Sequence, residues 1–212
     1  MYQEFQKVFN EIIQTIVAEE TANIKKAALV LSGTVMEGGT LYTFGTGHSL
    51  SIALEAVGKR GSLIKAKLLD EHIGNLARFE RLEGLGPIIM NNHQLRQEDT
   101  VIVASNSGRN SLTIEVAEEA KRKGVKVITI SAHAVKAEIA SFRKDGKYLS
   151  DFADVAIDNH GDSKDLLIEI PGTDLKVGSP STLTGIYIYY LILTEAVDLM
   201  LKNNFQPPLI KG

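Results

Sequence analysis

Two short stretches of this sequence combine residue types and spacings that suit the binding of an anion. The first is Gly45-Thr46-Gly47-His48-Ser49. Its two glycines let the backbone turn tightly and present N–H groups outward, Thr46 and Ser49 add hydroxyl donors, and a helical pattern starts directly afterwards. The dinucleotide fingerprint does not fit, because Leu50 stands where its third glycine belongs; the Gly-Lys-Ser/Thr of a Walker A loop is absent. A plain strand-to-helix turn uses the same residues, so this stretch alone decides nothing. The second stretch, Ser105-Asn106-Ser107-Gly108-Arg109-Asn110-Ser111, says more. Ser105, Ser107, Asn110 and Ser111 donate through side chains, and Gly108 admits close approach. A phosphate accepts several such bonds without needing a permanent cation. Capping of the following helix by Asn110 or Ser111 is the competing role; the density of donors favours a ligand. Ser131 follows an apolar run. Ser179-Pro180-Ser181-Thr182 leads into a long apolar segment, where capping is the default use and a ligand contact from Ser181 a further one.

The surrounding pattern says what positions these loops. Phe5, Val8, Phe9, Ile12, Ile13, Ile16 and Val17 recur at helical spacing. Ile24, Ala27, Ala28, Leu31 and Val35 continue it beyond the polar stretch 19–23, so residues 3–37 form one bent helix or two. Gly38-Gly39 ends the run. Residues 40–44 read as a buried strand, with a helix from Ile52 up to Gly61 and a second strand within 62–69. A helical piece lies near Ile88. The unit then repeats: strand 101–104, polar loop, helix 112–123, strand 125–130, and a short helix near 134–141. Strand 155–158 follows, then a loop over 161–176 with a brief strand near Leu167, a helix over 181–202 and a tail. Strands alternating with helices imply right-handed crossovers and a mainly parallel sheet. Ligands of such sheets bind beyond the carboxyl ends of the strands, and both polar loops sit at such ends.

Composition narrows the field. The 212 residues suit one domain, with 44% hydrophobic residues for a core. A formal charge of −3, from 23 Lys plus Arg against 26 Asp plus Glu, gives no basic excess for nucleic acid. Lys121-Arg122-Lys123 ends a helix, where cations complement the dipole. With no cysteine, disulfides, thiolate zinc sites and thiol nucleophiles are excluded. Residues 1–5 do not read as a signal peptide. The most apolar run, 186–193, falls short of the roughly 20 residues that span a bilayer. A cytoplasmic protein without membrane contact is expected.

The order strand–Gly-x-Gly-x-Ser–helix, strand–Ser-x-Ser-Gly–helix, Ile-Thr-Ile-Ser (128–131), then Ser-Pro-Ser-Thr (179–182) before a long helix resembles the sugar isomerase (SIS) domain, over residues 3–202. Arg78-Phe79-Glu80-Arg81-Leu82-Glu83-Gly84 with the Ser105–Asn110 motif is similar to a single-domain branch grouped with phosphosugar and phosphoheptose isomerases. The resemblance implies an α/β three-layer sandwich on a five-stranded parallel sheet, flavodoxin-like, with an N-terminal helical extension. It also implies a phosphorylated sugar as ligand and a homodimer or homotetramer. The phosphate-holding loop carries over to Ser105, Asn106, Ser107 and Gly108. Asn110 stands where the family often has Ser or Thr, so the hydroxyl contact passes to Ser111 or is lost. The sugar ring maps beside Gly47, His48 and Ser49.

Aldose–ketose isomerisation moves a proton between adjacent carbons, which requires a base, usually a carboxylate, and a group that opens the ring, often His. Glu55, in Ala53-Leu54-Glu55, resembles the Ala-Leu-Glu of the glucosamine-phosphate synthase isomerase domain. That enzyme's next catalytic Glu falls near Ser62 and is not matched. A surface or ion-paired carboxylate is the other reading of Glu55. Glu71 and His72 follow the second strand and are further candidates. His48, inside the loop, ranks ahead of the other histidines. His133 follows a strand end, His93 reads as exposed, and His160 sits in a polar turn. Some phosphoheptose isomerases bind zinc, but their ligand spacing is not reproduced, so neither metal nor cofactor is expected. Arg78, Arg81 and Glu83 read as a solvated face, with a lid or subunit contact as the functional alternative. A non-catalytic sugar-phosphate sensor or regulator and an amino-sugar phosphate lyase (etherase) are the alternative functions.

Overall fold

The computed structural model describes residues 1–69 and 78–211. Helix α1 runs unbroken over Tyr2–Met36, about 52 Å at 1.5 Å per residue. The polar stretch at 19–23 does not break it, because Glu20 is itself buried. Asn23 Nδ2 donates to Glu20 Oε2 at 2.8 Å. Past the helix end, Gly38 and Gly39 donate back to the carbonyls of Val35 and Thr34, satisfying carbonyls the helix leaves orphaned.

The strands are β1 (Leu41–Gly45), β2 (Ala66–Leu68), β3 (Thr100–Ala104), β4 (Lys126–Ser131) and β5 (Val155–Asp158). They form one five-stranded parallel sheet in the order β2-β1-β3-β4-β5. Between them lie α2 (Leu50–Glu55), α3 (Leu85–Asn91), α4 (Ser111–Arg122) and α5 (Val135–Glu138). A two-stranded antiparallel hairpin, β6 (Ile168–Glu169) with β7 (Lys176–Val177), precedes α6 (Ser181–Lys202).

Alternation along each strand builds the layers. Leu41, Ile102, Ala104, Ile128, Ile130, Val155 and Ile157 face α1, α2 and α6 in one core. Tyr42, Phe44, Val101, Val103 and Val127 face α3 and α4 in the other. The expected three-layer α/β sandwich is therefore observed. Helix α6 as a whole is long and apolar enough to cross a bilayer, but Ile188, Tyr189, Ile192, Ala196 and Met200 are buried here in the core against α1.

Two boundaries differ from the sequence expectation. The helix after the first loop ends at Glu55, short of Gly61, and a residue in the left-handed region, Gly58 (φ 71°), follows it. The strand expected over 62–69 is confined to Ala66–Leu68. Ahead of it the chain pairs with the C-terminal tail: Ile64 N donates to Pro208 O at 2.8 Å and Ile210 N to Ser62 O at 2.9 Å.

Candidate functional site

The sheet order reverses between β1 and β3. Their register puts Gly45 opposite Ala104, so the loops that leave the two strands emerge side by side at the carboxyl edge. This is the crevice in which open α/β sheets hold ligands.

The first loop is a 3₁₀ turn over Gly47–Ser49 that runs directly into α2. Gly45 is required by close approach: a Cβ there would sit 2.4 Å from the Ser49 carbonyl oxygen. Gly47 adopts φ 56°. Gly47 and His48 are exposed and Ser49 is half-buried. Thr46, whose backbone caps the turn, donates its hydroxyl to Glu80 Oε2 at 2.8 Å.

In the second loop Ser105 is buried and Ser107 and Asn110 are half-buried. Asn110 is the N-cap residue of α4, yet its side chain makes no cap bond. The capping alternative raised by the sequence is not realised for it. Among the described residues Ser111 Oγ is buried without a hydrogen-bond partner, at the positive end of a three-turn helix dipole. Gly108, at φ 59°, is explained by packing: a Cβ would come 3.3 Å from Ser131 Cβ. Asn106 turns toward β5, accepting from Asn159 Nδ2 at 2.9 Å and donating to Asp162 O at 3.3 Å.

The carboxyl ends of β4 and β5 extend this edge. Ser131 is buried beside Gly108. Asp158 Oδ1 accepts the backbone N–H groups of His133 and His160 at 3.0 and 2.8 Å. His160 Nε2 lies 3.8 Å from Glu20 Oε1, linking this edge to the middle of α1. His93, expected to be exposed, is half-buried with its ring edge-on to Tyr42.

The structure thus brings Gly47, His48, Ser49, Ser105, Asn106, Ser107, Gly108, Asn110, Ser111 and Ser131 to one sheet edge. Helix α6 packs against the 3₁₀ turn, carrying Ser181 on its first turn. There Asp165 accepts from Ser181 Oγ at 2.7 Å and Ser181 N at 3.1 Å. Glu55 is directed elsewhere. Its carboxylate meets Lys59 Nζ and Tyr190 Oη, and these two bond each other at 2.8 Å. The Lys59 hydrogen bond, then that of Tyr190, holds the Glu55 carboxyl below the usual carboxylate range. Glu71 and His72 lie outside the described residues.

Two carboxylates that sequence reading left aside belong to this region. The backbone of Glu80 accepts Leu112 N at 3.0 Å, in the first turn of α4, while its side chain reaches Thr46. The segment carrying it is pinned by Glu115, buried on α4, which accepts Gly84 N at 2.6 Å and Gly86 N at 2.8 Å. The run of charges at 78–83 looks like a solvated face in one dimension. Its one legible signal was its place in a branch-like motif.

A family model described as the SIS domain matches residues 4–132. The chain belongs to the SIS-domain family. A model for a domain of unknown function, DUF2529, matches residues 75–200 as well. The SIS chain is 32% identical to a UPF0309 protein of Listeria monocytogenes over 95% of its own length and 86% of the relative's. Among solved structures, a phosphoheptose isomerase from Francisella tularensis superposes with a TM-score of 0.65 at 15% identity, covering 92% of this chain and 95% of that one. The sugar isomerase domain of an RpiR transcription factor from Sphaerobacter thermophilus gives 0.58 at 14% identity, covering 95% and 91%. At these identities the structural likeness speaks for the fold of the SIS domain.

Proposed function

We propose that this SIS domain binds a phosphorylated sugar, with the phosphate at the first turn of α4, and interconverts its aldose and ketose forms. One observation carries the binding half: among the described residues Ser111 Oγ is buried and unpartnered, at a helix N-terminus whose N-cap side chain is also uncommitted to capping. A buried hydroxyl left unpaired costs about 1–3 kcal/mol, and a phosphate oxygen would accept from it where the helix dipole favours negative charge. Ser105 and Ser107 add donors on the same loop. Ser49 and the exposed His48 face the sugar from the neighbouring loop, with His48 as the group that assists ring opening. The reading includes self-association and a cytoplasmic location.

The test is incubation with five- to seven-carbon aldose and ketose phosphates, with binding followed by calorimetry and turnover by NMR. Binding with interconversion of at least one sugar is expected. Binding with no turnover of any sugar would sink the isomerase half. It would leave the second reading, a sugar-phosphate sensor, which one observation favours: Glu55 is committed to Lys59 and Tyr190. Absence of binding to every sugar phosphate would sink both.

A further inference from the structure

We propose that Glu80 is the carboxylate that moves the proton in this site. The assignment rests on the isomerase reading above. An isomerase needs a carboxylate that reaches across the gap from the phosphate-holding loop to the loop that faces the sugar, because C1 and C2 lie at the opposite end of the sugar from its terminal phosphate. Glu80 is built into that gap from both sides. Its main chain is fixed to the second loop by the Leu112 N–H bond at 3.0 Å, and its side chain to the first loop by the Thr46 hydroxyl at 2.8 Å. Thr46 is the residue immediately before the 3₁₀ turn, and Leu112 is the second residue of α4. The residue therefore bridges the reversal point of the sheet, although 34 positions separate it from Thr46.

Three further features suit the role. Glu80 is half-buried, so its carboxylate is shielded in part from water but open to a ligand. Among the described residues its side chain has a single hydrogen bond, from Thr46 to Oε2, which orients the group and leaves Oε1 for the substrate. Its segment is held against α4 by the paired N–H bonds to Glu115, so the carboxylate is carried by an anchored strap. Glu55 differs in its partners: a cation and a phenol, Lys59 and Tyr190, hold it against α6.

The step balances without a co-reactant. Glu80 removes the proton from C2 of the open-chain aldose. The C–H electron pair becomes the C1=C2 double bond, and the aldehyde π pair moves to O1. The proton that O1 gains is the one O2 gives up as C2 becomes the ketone carbonyl. Glu80 returns its proton to C1.

The decisive variant is Glu80→Gln, whose amide oxygen still accepts from Thr46. Wild type and variant are compared on the sugar-phosphate panel in D2O, reading kcat, deuterium entry at C1 or C2 by NMR, and Kd by calorimetry, with thermal melts as a folding check. Glu80→Gln is expected to lose roughly 10²- to 10⁴-fold in kcat and in deuterium entry, with Kd changed less than about threefold. Glu80→Asp, a carboxylate one methylene shorter, is expected to recover part of the rate and keeps the test valid if Glu80→Gln misfolds. Glu55→Gln is expected to keep kcat within about tenfold. A folded Glu80→Gln that retains kcat and deuterium entry within tenfold overturns the assignment while the isomerase reading stands. A wild type that binds but exchanges no carbon-bound proton overturns both.

Discussion

Glu115 is where stability and site geometry meet, and replacing it by alanine is the sharpest structural test. The carboxylate is buried on α4 and accepts two backbone N–H groups, from Gly84 at 2.6 Å and Gly86 at 2.8 Å. The two donors differ in surroundings. Gly84 is exposed, so water replaces its lost bond, and the cost is that of one charge-assisted hydrogen bond, about 1.5 kcal/mol. Gly86 is buried, so its N–H is shielded from the bulk water that serves Gly84. A stranded buried donor costs about 1–3 kcal/mol. Together Glu115→Ala should lose about 3 kcal/mol, which for a chain of this size lowers the melting temperature by roughly 6–12 °C. Glu115→Gln keeps one acceptor oxygen and should lose about half as much. Urea or thermal denaturation followed by circular dichroism measures the loss. Hydrogen exchange at Gly84 and Gly86 reports whether the strap has come free. A Glu115→Ala protein within about 0.5 kcal/mol of wild type, with both amides still protected, would refute this account of what holds Glu80 in place.

Two other outcomes follow from the same geometry. Gly45→Ala places a methyl 2.4 Å from the Ser49 carbonyl, so the 3₁₀ turn must shift; a stability loss of about 1–3 kcal/mol and weaker sugar-phosphate binding are expected by melting and calorimetry. The Glu55 carboxyl is held low by Lys59 and Tyr190, so its contribution to stability is present above the ordinary glutamate range, near 4.3, and fades as pH falls through its lowered value. Denaturation of wild type and Glu55→Gln across pH should therefore show a gap at pH 6–7 that closes on acidification, and a gap independent of pH would contradict the bonding seen.

Much of the fold was legible because the signals were local. Apolar residues at helical spacing forecast α1, α4 and α6, and short apolar runs forecast β1, β3, β4 and β5. The two polar loops were legible for the same reason: each is one contiguous stretch at a strand end, and parallel sheets gather strand ends. Where reading failed, the determining contact was distant in sequence. Strand β2 was overdrawn because the backbone ahead of it pairs with residues 208–210. The sequence left residues 3–37 open between one bent helix and two, and continuity of α1 turned on Glu20, a polar residue accepted in the interior beside Asn23 and His160.

The sequence by itself determined that this is an α/β chain with hydroxyl-rich loops at two strand ends, since glycine turns and serine donors act over a few residues. Only the tertiary structure decided which carboxylate meets the loop at residues 45–49. Glu55 lies nearer to it in the chain, but α6 brings Tyr190 over α2 to join Lys59 at its carboxylate. Glu80 reaches Thr46 across 34 residues because Glu115 and the first turn of α4 bind its strap. A carboxylate's chemistry is set by its neighbours in space, and those are assigned by packing between elements.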